Sequence, residues 1–455
     1  MKKFLLSRAA RVGAAIAASS SGLALAAMVT STQAAHADPS FANAKQGVGS
    51  DTIQDILNAY AGASPFSPSS KTAFYIPLDS GSAVAPGAGV AASHVSIASW
   101  DAIPLGGSAS NPGAISTHLG GPSFDRPNGS SNGIAALRAS LGFGPTGACT
   151  SGANAWEAST ASSTHACVNI PNQVDFARSS RGPNTAGTNL TFIPFARDAM
   201  TYAYFVKGTA NLATLTGTQL NQLYSSSTGT ITVGSDTVKA CLPQAGSGTR
   251  SFFESAIGVN DTQAGNAATA AGCNGQEENG ANTFFTTANG FAANTDAVIP
   301  FSAGSWLSQL NGKSVDRSSS GASSGVKIGD PDSIAGPTGP LGGTAPNLTE
   351  NTPYYENNTW GRDVFIVVGT SSIDPTSFTQ DADLWGLFGQ STDTAASFGP
   401  SPSVGTGPAI CSSTAQSLAN SFGFASLDTA MTTKYTDNTA HALPCGDAVD
   451  DHANN

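Results

Sequence analysis

Three times in this chain a turn of glycine and serine stands between a short apolar run and a helical pattern. That unit constrains the fold more than any other feature. The clearest copy runs from the apolar stretch Val238 to Leu242, past Pro243, into Gly246-Ser247-Gly248-Thr249-Arg250-Ser251-Phe252-Phe253-Glu254. Phe252, Phe253, Ala256 and Ile257 then fall on one side of a helix. In the second copy Gln46-Gly47-Val48 forms a brief strand and Gly49-Ser50-Asp51-Thr52 opens a helix, with Ser50 or Asp51 expected as N-cap. Its apolar stripe is Ile53, Ile56, Leu57 and Tyr60. The third copy is Asn128-Gly129-Ser130-Ser131-Asn132-Gly133, followed by Ile134, Ala135, Leu137 and Leu141. The first turn of a helix has backbone N–H groups with no partner inside the helix. The helix dipole adds about half a positive charge there. Glycine lets a ligand approach the backbone and the hydroxyls add donors, so each turn is suited to an oxyanion.

The rest of the chain keeps the same alternation. Strands are expected at Phe74 to Leu78, His94 to Trp100, Val174 to Ser180, Leu190 to Phe195, Met200 to Val206, Asp296 to Phe301 and Asp363 to Val368. Helices are expected at Leu215 to Tyr224, capped by Thr216, at Ser302 to Leu310, at Leu384 to Phe388 and at Thr414 to Phe422. Residues 311 to 350 are rich in Gly, Ser and Pro and read as loop. Alternating strands and helices mean an α/β fold. Strand-to-helix junctions are the edge at which open α/β sheets bind ligands.

Met1 to Ala37 has the form of a secretory signal. Lys2, Lys3, Arg8 and Arg11 form its positive region, Gly13 to Met28 its small apolar region, and Ala35-His36-Ala37 its cleavage site. The mature protein is thus expected to be secreted, periplasmic or held at the cell envelope. Removing the signal leaves fifteen Lys and Arg against thirty Asp and Glu, which disfavours nucleic acid or an anionic membrane as partner. An anion site in such a chain depends on local N–H and O–H donors. The six cysteines, Cys149, Cys167, Cys241, Cys273, Cys411 and Cys445, all lie in the exported part. An even number there implies disulfides, and six allow fifteen pairings. The sequential pairing 149–167, 241–273 and 411–445 closes short local loops and is the one expected. No spacing suits zinc or redox chemistry, and no metal or cofactor is expected.

These segments, in this order, resemble the phosphate-type substrate-binding proteins of ABC transporters, a branch of the two-lobed periplasmic binding proteins. GVGSDTIQDIL (47–57) resembles the first glycine loop of that family, PNGSSNGIAAL (127–137) its second, and VDFARSS (174–180) its VDFGASD segment. FIPFARDAMTYAYFV (192–206) resembles the crossover, LTGTQLNQLYS (215–225) the following helix, and QAGSGTRSFFE (244–254) the phosphate loop. DAVIPFSAGSWL (296–307) and DVFIVVG (363–369) resemble later segments. The resemblance implies two α/β lobes with a central ligand cleft. Lobe one would take 40–196 and 350–455, and lobe two 197–349. It also implies a monomer that binds phosphate or a similar oxyanion and serves an ABC membrane component, not an enzyme. Thr52, Ser130, Ser247, Gly248 and Thr249 stand at the family's ligand-contacting positions, with Ser131 beside Ser130. Two charged positions differ. Ser180 stands where the family has an aspartate, and Pro243 where it has an arginine. Arg250, Arg178 and Arg181 are candidates for the missing cation, and Asp51 for the missing acceptor.

Two other readings compete. Gly129 to Gly133 also fits GxSxG, the nucleophile elbow of serine hydrolases, with Ser131 as nucleophile and His165 or His441 as base. The residues before it lack the apolar strand that motif needs. A secreted surface or adhesion module that keeps the fold without a ligand is the other. Trp100, Trp306, Trp360 and Trp385 are expected in the core or between lobes.

Overall fold

The structure is a computed structural model. It describes residues 44–61, 97–104, 107–108, 112–144, 149, 152–157, 167–183, 189–334, 336, 339–374, 377–389, 408–427, 445–446 and 449–450. The export segment, the strand at Phe74 to Leu78, and His94, His165 and His441 lie outside these residues. No helix among the described residues is long and apolar enough to cross a membrane.

Eight strands carry the fold: β1 (Lys45–Gly49), β2 (Ile97–Ser99), β3 (Phe176–Ser179), β4 (Leu190–Phe205), β5 (Thr230–Val233), β6 (Asp236–Ala240), β7 (Thr295–Ser302) and β8 (Gly361–Gly369). They lie side by side in the order β2-β1-β3-β8-β4-β7-β6-β5. β1 is parallel to β2 and β3, and β6 is parallel to β7. The apolar runs expected as two strands, Leu190 to Phe195 and Met200 to Val206, are one strand of 16 residues, buried along its whole length. It stays unbroken because Ala196, Arg197, Asp198 and Ala199 continue the ladder. Residues 190 to 199 pair with β8, and 200 to 205 pair with β7. One strand therefore belongs to both halves of the sheet.

Each half has its own core, divided by the two-residue period of its strands. In β8, Val364, Ile366 and Val368 pack on one face with Ile53, Ile56, Leu57 and Tyr60 of the first stripe. Phe365 and Val367 turn to the other face, against Val48, Ile134 and Leu137. In the second half Leu220, Leu223, Tyr224, Val238 and Phe253 fill one face. Phe205, Phe284, Ile299, Phe301 and Trp306 fill the other. Trp100, Trp360 and Trp385 are also buried. Burying one such side chain contributes about 1.5–3 kcal/mol.

The helices that matter for the site are α1 (Gln54–Tyr60), α2 (Ser130–Leu141), α3 (Gly217–Ser225), α4 (Gly248–Ala256), α5 (Asp261–Ala271), α6 (Ala281–Asn289) and α7 (Ala303–Leu310). Thr216 caps α3 through a capping box with Gln219, and Ser247 caps α4. The first unit departs from expectation. Its helix begins at Gln54 with Ile53 as N-cap and no side-chain cap. Ser50 and Asp51 stand three and two residues ahead of that cap: the Ser50 hydroxyl donates to Ser180 at 3.1 Å, and neither Asp51 carboxyl oxygen takes a helix N–H.

The cysteines pair as Cys149–Cys167, Cys241–Cys273 and Cys411–Cys445. Cys241–Cys273 is buried beside Phe284 and Ile299 and spans 32 residues of sequence. Loop-closure entropy for that span is worth roughly 3–4 kcal/mol. Replacing both cysteines with alanine should lower unfolding free energy by about that amount in a denaturant titration. A loss below 1 kcal/mol would show that the link does not restrain the unfolded chain.

Candidate functional site

The three turns meet where the two halves of the sheet adjoin. Thr52 Oγ1 lies 3.0 Å from Thr249 Oγ1, and Ser130 Oγ lies 3.2 Å from Ser180 Oγ. Ser50 Oγ donates to Ser180 Oγ at 3.1 Å, and Ser180 N–H donates to Ser130 Oγ at 3.0 Å. All five side chains are buried. The turns also interlock through backbone. Ser131 N–H donates to Gly246 O at 3.0 Å, and Gln244 Nε2 to Asn128 Oδ1 at 2.9 Å. A Cβ on Gly248 would stand 2.2 Å from Ser130 Oγ and 2.4 Å from Ser180 Oγ. Gly129, at φ 89°, would bring a Cβ within 2.6 Å of Gly246 O. The glycines are required here because the opposed turns leave no room for a side chain.

The charges in this cluster come from places sequence reasoning missed. Arg362, at the start of β8, donates from Nη2 to Thr249 Oγ1 at 2.9 Å. Its Nε and Nη2 donate to Asp198 Oδ2 at 3.0 and 2.7 Å. Asp198 is held in turn by Ser302 Oγ at 2.9 Å and Gly304 N–H at 3.1 Å, at the first turn of α7. Nη1 of Arg362 is buried and has no hydrogen-bond partner among the described residues. That leaves a charged donor beside the hydroxyls.

Glu278, in the loop before α6, is fully buried. Its Oε1 accepts from the Thr52 hydroxyl and from Thr249 N–H, the latter at 3.4 Å. Oε2 of Glu278 and both oxygens of Asp51 are buried without an N–H or O–H partner. One proton held between the two carboxyls gives each of them one partner and leaves one Asp51 oxygen without any. Burial pushes Asp51 well above the usual carboxylate range, and the neighbouring Glu278 charge pushes it further. Burial acts to raise Glu278 too, but hydrogen bonds from Asp51, Thr249 and Thr52 hold it lower. The two carboxyls titrate as a pair, with Asp51 pushed up and Glu278 held down.

Other candidates are placed differently. Arg250 turns back over its own helix: Nε meets Glu254 Oε1 at 3.0 Å, Nη1 meets Pro243 O at 3.2 Å, and Nη2 meets Asp261 Oδ1 at 2.7 Å. Carboxylates one turn along α4 and at the start of α5 draw it away from the cluster. Arg178 is spent on backbone, donating to Ser50 O, Gly49 O and Trp100 O at 3.1, 3.1 and 2.7 Å, so it shapes the first turn. Arg181 reaches Ser131 Oγ from Nη2 at 3.1 Å. Ser247 spends its hydroxyl on Arg250 N–H at 3.0 Å. Pairs of Arg-Asp inside apolar stretches, at 197–198 and 362–363, are the sequence signal that points to Arg362. No group of His, Cys, Asp and Glu suited to a metal ion occurs among the described residues.

Arg317 ties the halves together beside this cluster. Its Nε meets Glu277 at 2.9 Å, its Nη2 donates to Ile103 O at 3.0 Å, and its Nη1 lies 4.0 Å from Asp55. Burial pushes Asp55 up to about 7 against the pull of Arg317.

No protein-family model matches the chain, and no curated protein matches it in sequence. Solved structures do align with it. One, with bound phosphate, is described as a phosphate ABC transporter substrate-binding protein from Clostridium perfringens. It is 12% identical, with a TM-score of 0.41 over 85% of this chain and 100% of that one. An ABC-type phosphate transport receptor from Vibrio cholerae is 19% identical, with a TM-score of 0.33 over 55% of this chain and 80% of that one. PstS from Borrelia burgdorferi is 13% identical, with a TM-score of 0.31 over 56% and 80%.

The carboxyls give a pH dependence of stability. Asp51, Asp55 and Glu254 all have raised values, Asp55 and Glu254 to about 7. Between the unfolded value of about 4 and these raised values, the folded chain keeps protons that the unfolded chain has released. Stability then falls as pH rises. The thermal midpoint should be higher at pH 5 than at pH 8, and Asp55→Asn should flatten part of that slope. A midpoint that rises from pH 5 to 8 would contradict it.

Proposed function

We propose that this chain is a secreted substrate-binding protein, not an enzyme, that captures phosphate or a related oxyanion between its two halves and delivers it to an ABC-type membrane component. One observation carries the reading: the buried hydroxyls of Thr52, Ser130, Ser180 and Thr249 converge beside an Arg362 guanidinium whose Nη1 is without a hydrogen-bond partner. Buried donors of this kind are expensive to leave unmatched. Thr249 N–H already donates to Glu278 and Ser131 N–H to Gly246 O, so the hydroxyls and the guanidinium are the donors on which this reading rests. The lobe boundaries of this reading are 40–196 with 350–455 for the first and 197–349 for the second.

The carboxyl pair sets the choice of anion. The Glu278 carboxylate accepts a hydrogen bond from the P–OH of hydrogen phosphate or dihydrogen phosphate and repels a fully ionised anion such as sulfate. Arg362 supplies the cation that Pro243 does not, and Glu278 with Asp51 supplies the acceptor that Ser180 does not.

A second reading has its own support. Glu278 already takes the Thr249 N–H and the Thr52 hydroxyl, as an anion would. A surface module that keeps its halves closed with an internal carboxylate fits that contact. Ser131 as a hydrolase nucleophile has less support, since its hydroxyl accepts from Arg181.

Calorimetry with inorganic phosphate separates these. The proposal expects saturable binding, no binding of sulfate at pH 7, and at least tenfold weaker phosphate binding in Thr249→Ala, about the loss of one charge-assisted hydrogen bond. A protein whose heat signal and thermal midpoint ignore phosphate is the surface module instead, because a ligand at 100 times its Kd raises stability by about 2.7 kcal/mol.

A further inference from the structure

An open cavity of about 470 Å³ lies between the segment that follows Ser180 and the side of α4. One wall is Arg181, Gly182 and Pro183, which follow Ser180 in the chain. The other is formed by Phe252, Ser255 and Val259 along and just past α4. The cavity therefore joins the same two chain segments that supply Ser180 and Thr249. Two contacts connect it to the cluster. The Phe252 ring lies 5.7 Å from the guanidinium carbon of Arg362. Arg181 Nη2 holds the Ser131 hydroxyl at 3.1 Å, and Arg181 Nε is buried without a hydrogen-bond partner among the described residues.

The size of this space does not match a bare tetrahedral ion. Cavities of roughly 300–1,000 Å³ are those that hold organic ligands, whereas a phosphate ion has five heavy atoms. On the oxyanion reading the ion is held at the first turn of α4, whose hydroxyl partners have to part to admit it, since Thr52 and Thr249 Oγ1 stand 3.0 Å apart. The cavity is left for something attached to the ion. Its walls are mixed. Phe252, Val259 and Pro183 offer apolar surface, Arg181 offers donors, and Glu254 and Asp261 stand at the α5 end, both bound to Arg250.

We infer that the ligand is a tetrahedral oxyanion carrying a short organic substituent, a phosphate monoester or a phosphonate. Its anionic head sits at the first turn of α4 and its substituent lies between Arg181–Pro183 and the Phe252–Val259 face. The inference rests on the oxyanion reading above and narrows it. Phe252 and Val259 cover the stem of the substituent. Arg181 meets an ester oxygen or a polar tip.

Calorimetry on the full mature chain tests this with four probes: inorganic phosphate, glycerol 3-phosphate, phosphoethanolamine and 2-aminoethylphosphonate. At least one organic probe should bind tenfold or more tightly than inorganic phosphate, and the phosphonate arm separates a C–P from an ester link. Two cavity-filling variants follow. Ser255 is exposed on α4, and a Cβ on Gly182 would come no nearer than 3.9 Å to Phe365. S255W and G182L should therefore fold, as thermal midpoints will verify. Each should bring the organic probe to within threefold of phosphate and leave phosphate affinity unchanged. Phosphate binding with no gain from any substituent overturns the inference and leaves the oxyanion reading standing. A gain that survives both substitutions also overturns it. Failure of the unsubstituted chain to bind any of the four removes the oxyanion reading and this inference together.

Discussion

Two antiparallel strands, β4 and β8, carry the same dipeptide in opposed directions. Arg362 lies opposite Asp198, and Asp363 opposite Arg197. Successive side chains on a strand face opposite sides, so the two ion pairs are split between faces. Arg197 meets Asp363 at 2.8 Å and Tyr355 O at 2.6 Å, while Arg362 meets Asp198 and the Thr249 hydroxyl. All four residues are buried. Taking such charges out of water costs several kcal/mol per ion, and only good geometry offsets it. The arrangement fixes strand register, since a one-residue slip would set arginine against arginine or leave charges buried alone. It also places one guanidinium at the cluster with a donor to spare.

The cluster follows from that register. Asp198 is anchored at the first turn of α7, and Ser305 of the same helix donates to Thr52 O at 3.2 Å. A single short path thus runs from the shared strand through α7 to the first glycine turn. Arg178, pushed down to about 10 by burial yet still charged at neutral pH, holds the backbone of that turn from the other side. The hydroxyls then face one another because the backbones that carry them are held at several points.

Local patterns were legible in the chain. Glycine turns, the stripe Ile53-Ile56-Leu57-Tyr60 and the capping Thr216 are each written within a few residues, where periodicity and capping act. The continuity of β4 was harder to read, because Arg197 and Asp198 look like a break between apolar runs until their partners on β8 are known. Arg250 illustrates the opposite error. It lies in the glycine loop by sequence, but Glu254 one turn along the helix claims it. Glu278 left no local signal at all: its role arises from a contact with Thr52 across 226 positions of chain. The charged half of the site depends on long-range pairing, and sequence spacing does not encode it.

The unbroken run of β4 has a mechanical consequence. Were the halves joined by loose segments, each would swing freely about a few backbone torsions. Here they share a sixteen-residue ribbon that is hydrogen-bonded along both parts of its length. Parting the halves has to flex that ribbon, and flexing stretches ladder bonds on either side of residue 199. The two halves are therefore coupled mechanically through one hydrogen-bonded strip, and a displacement of either is felt by the other as strain in that strip.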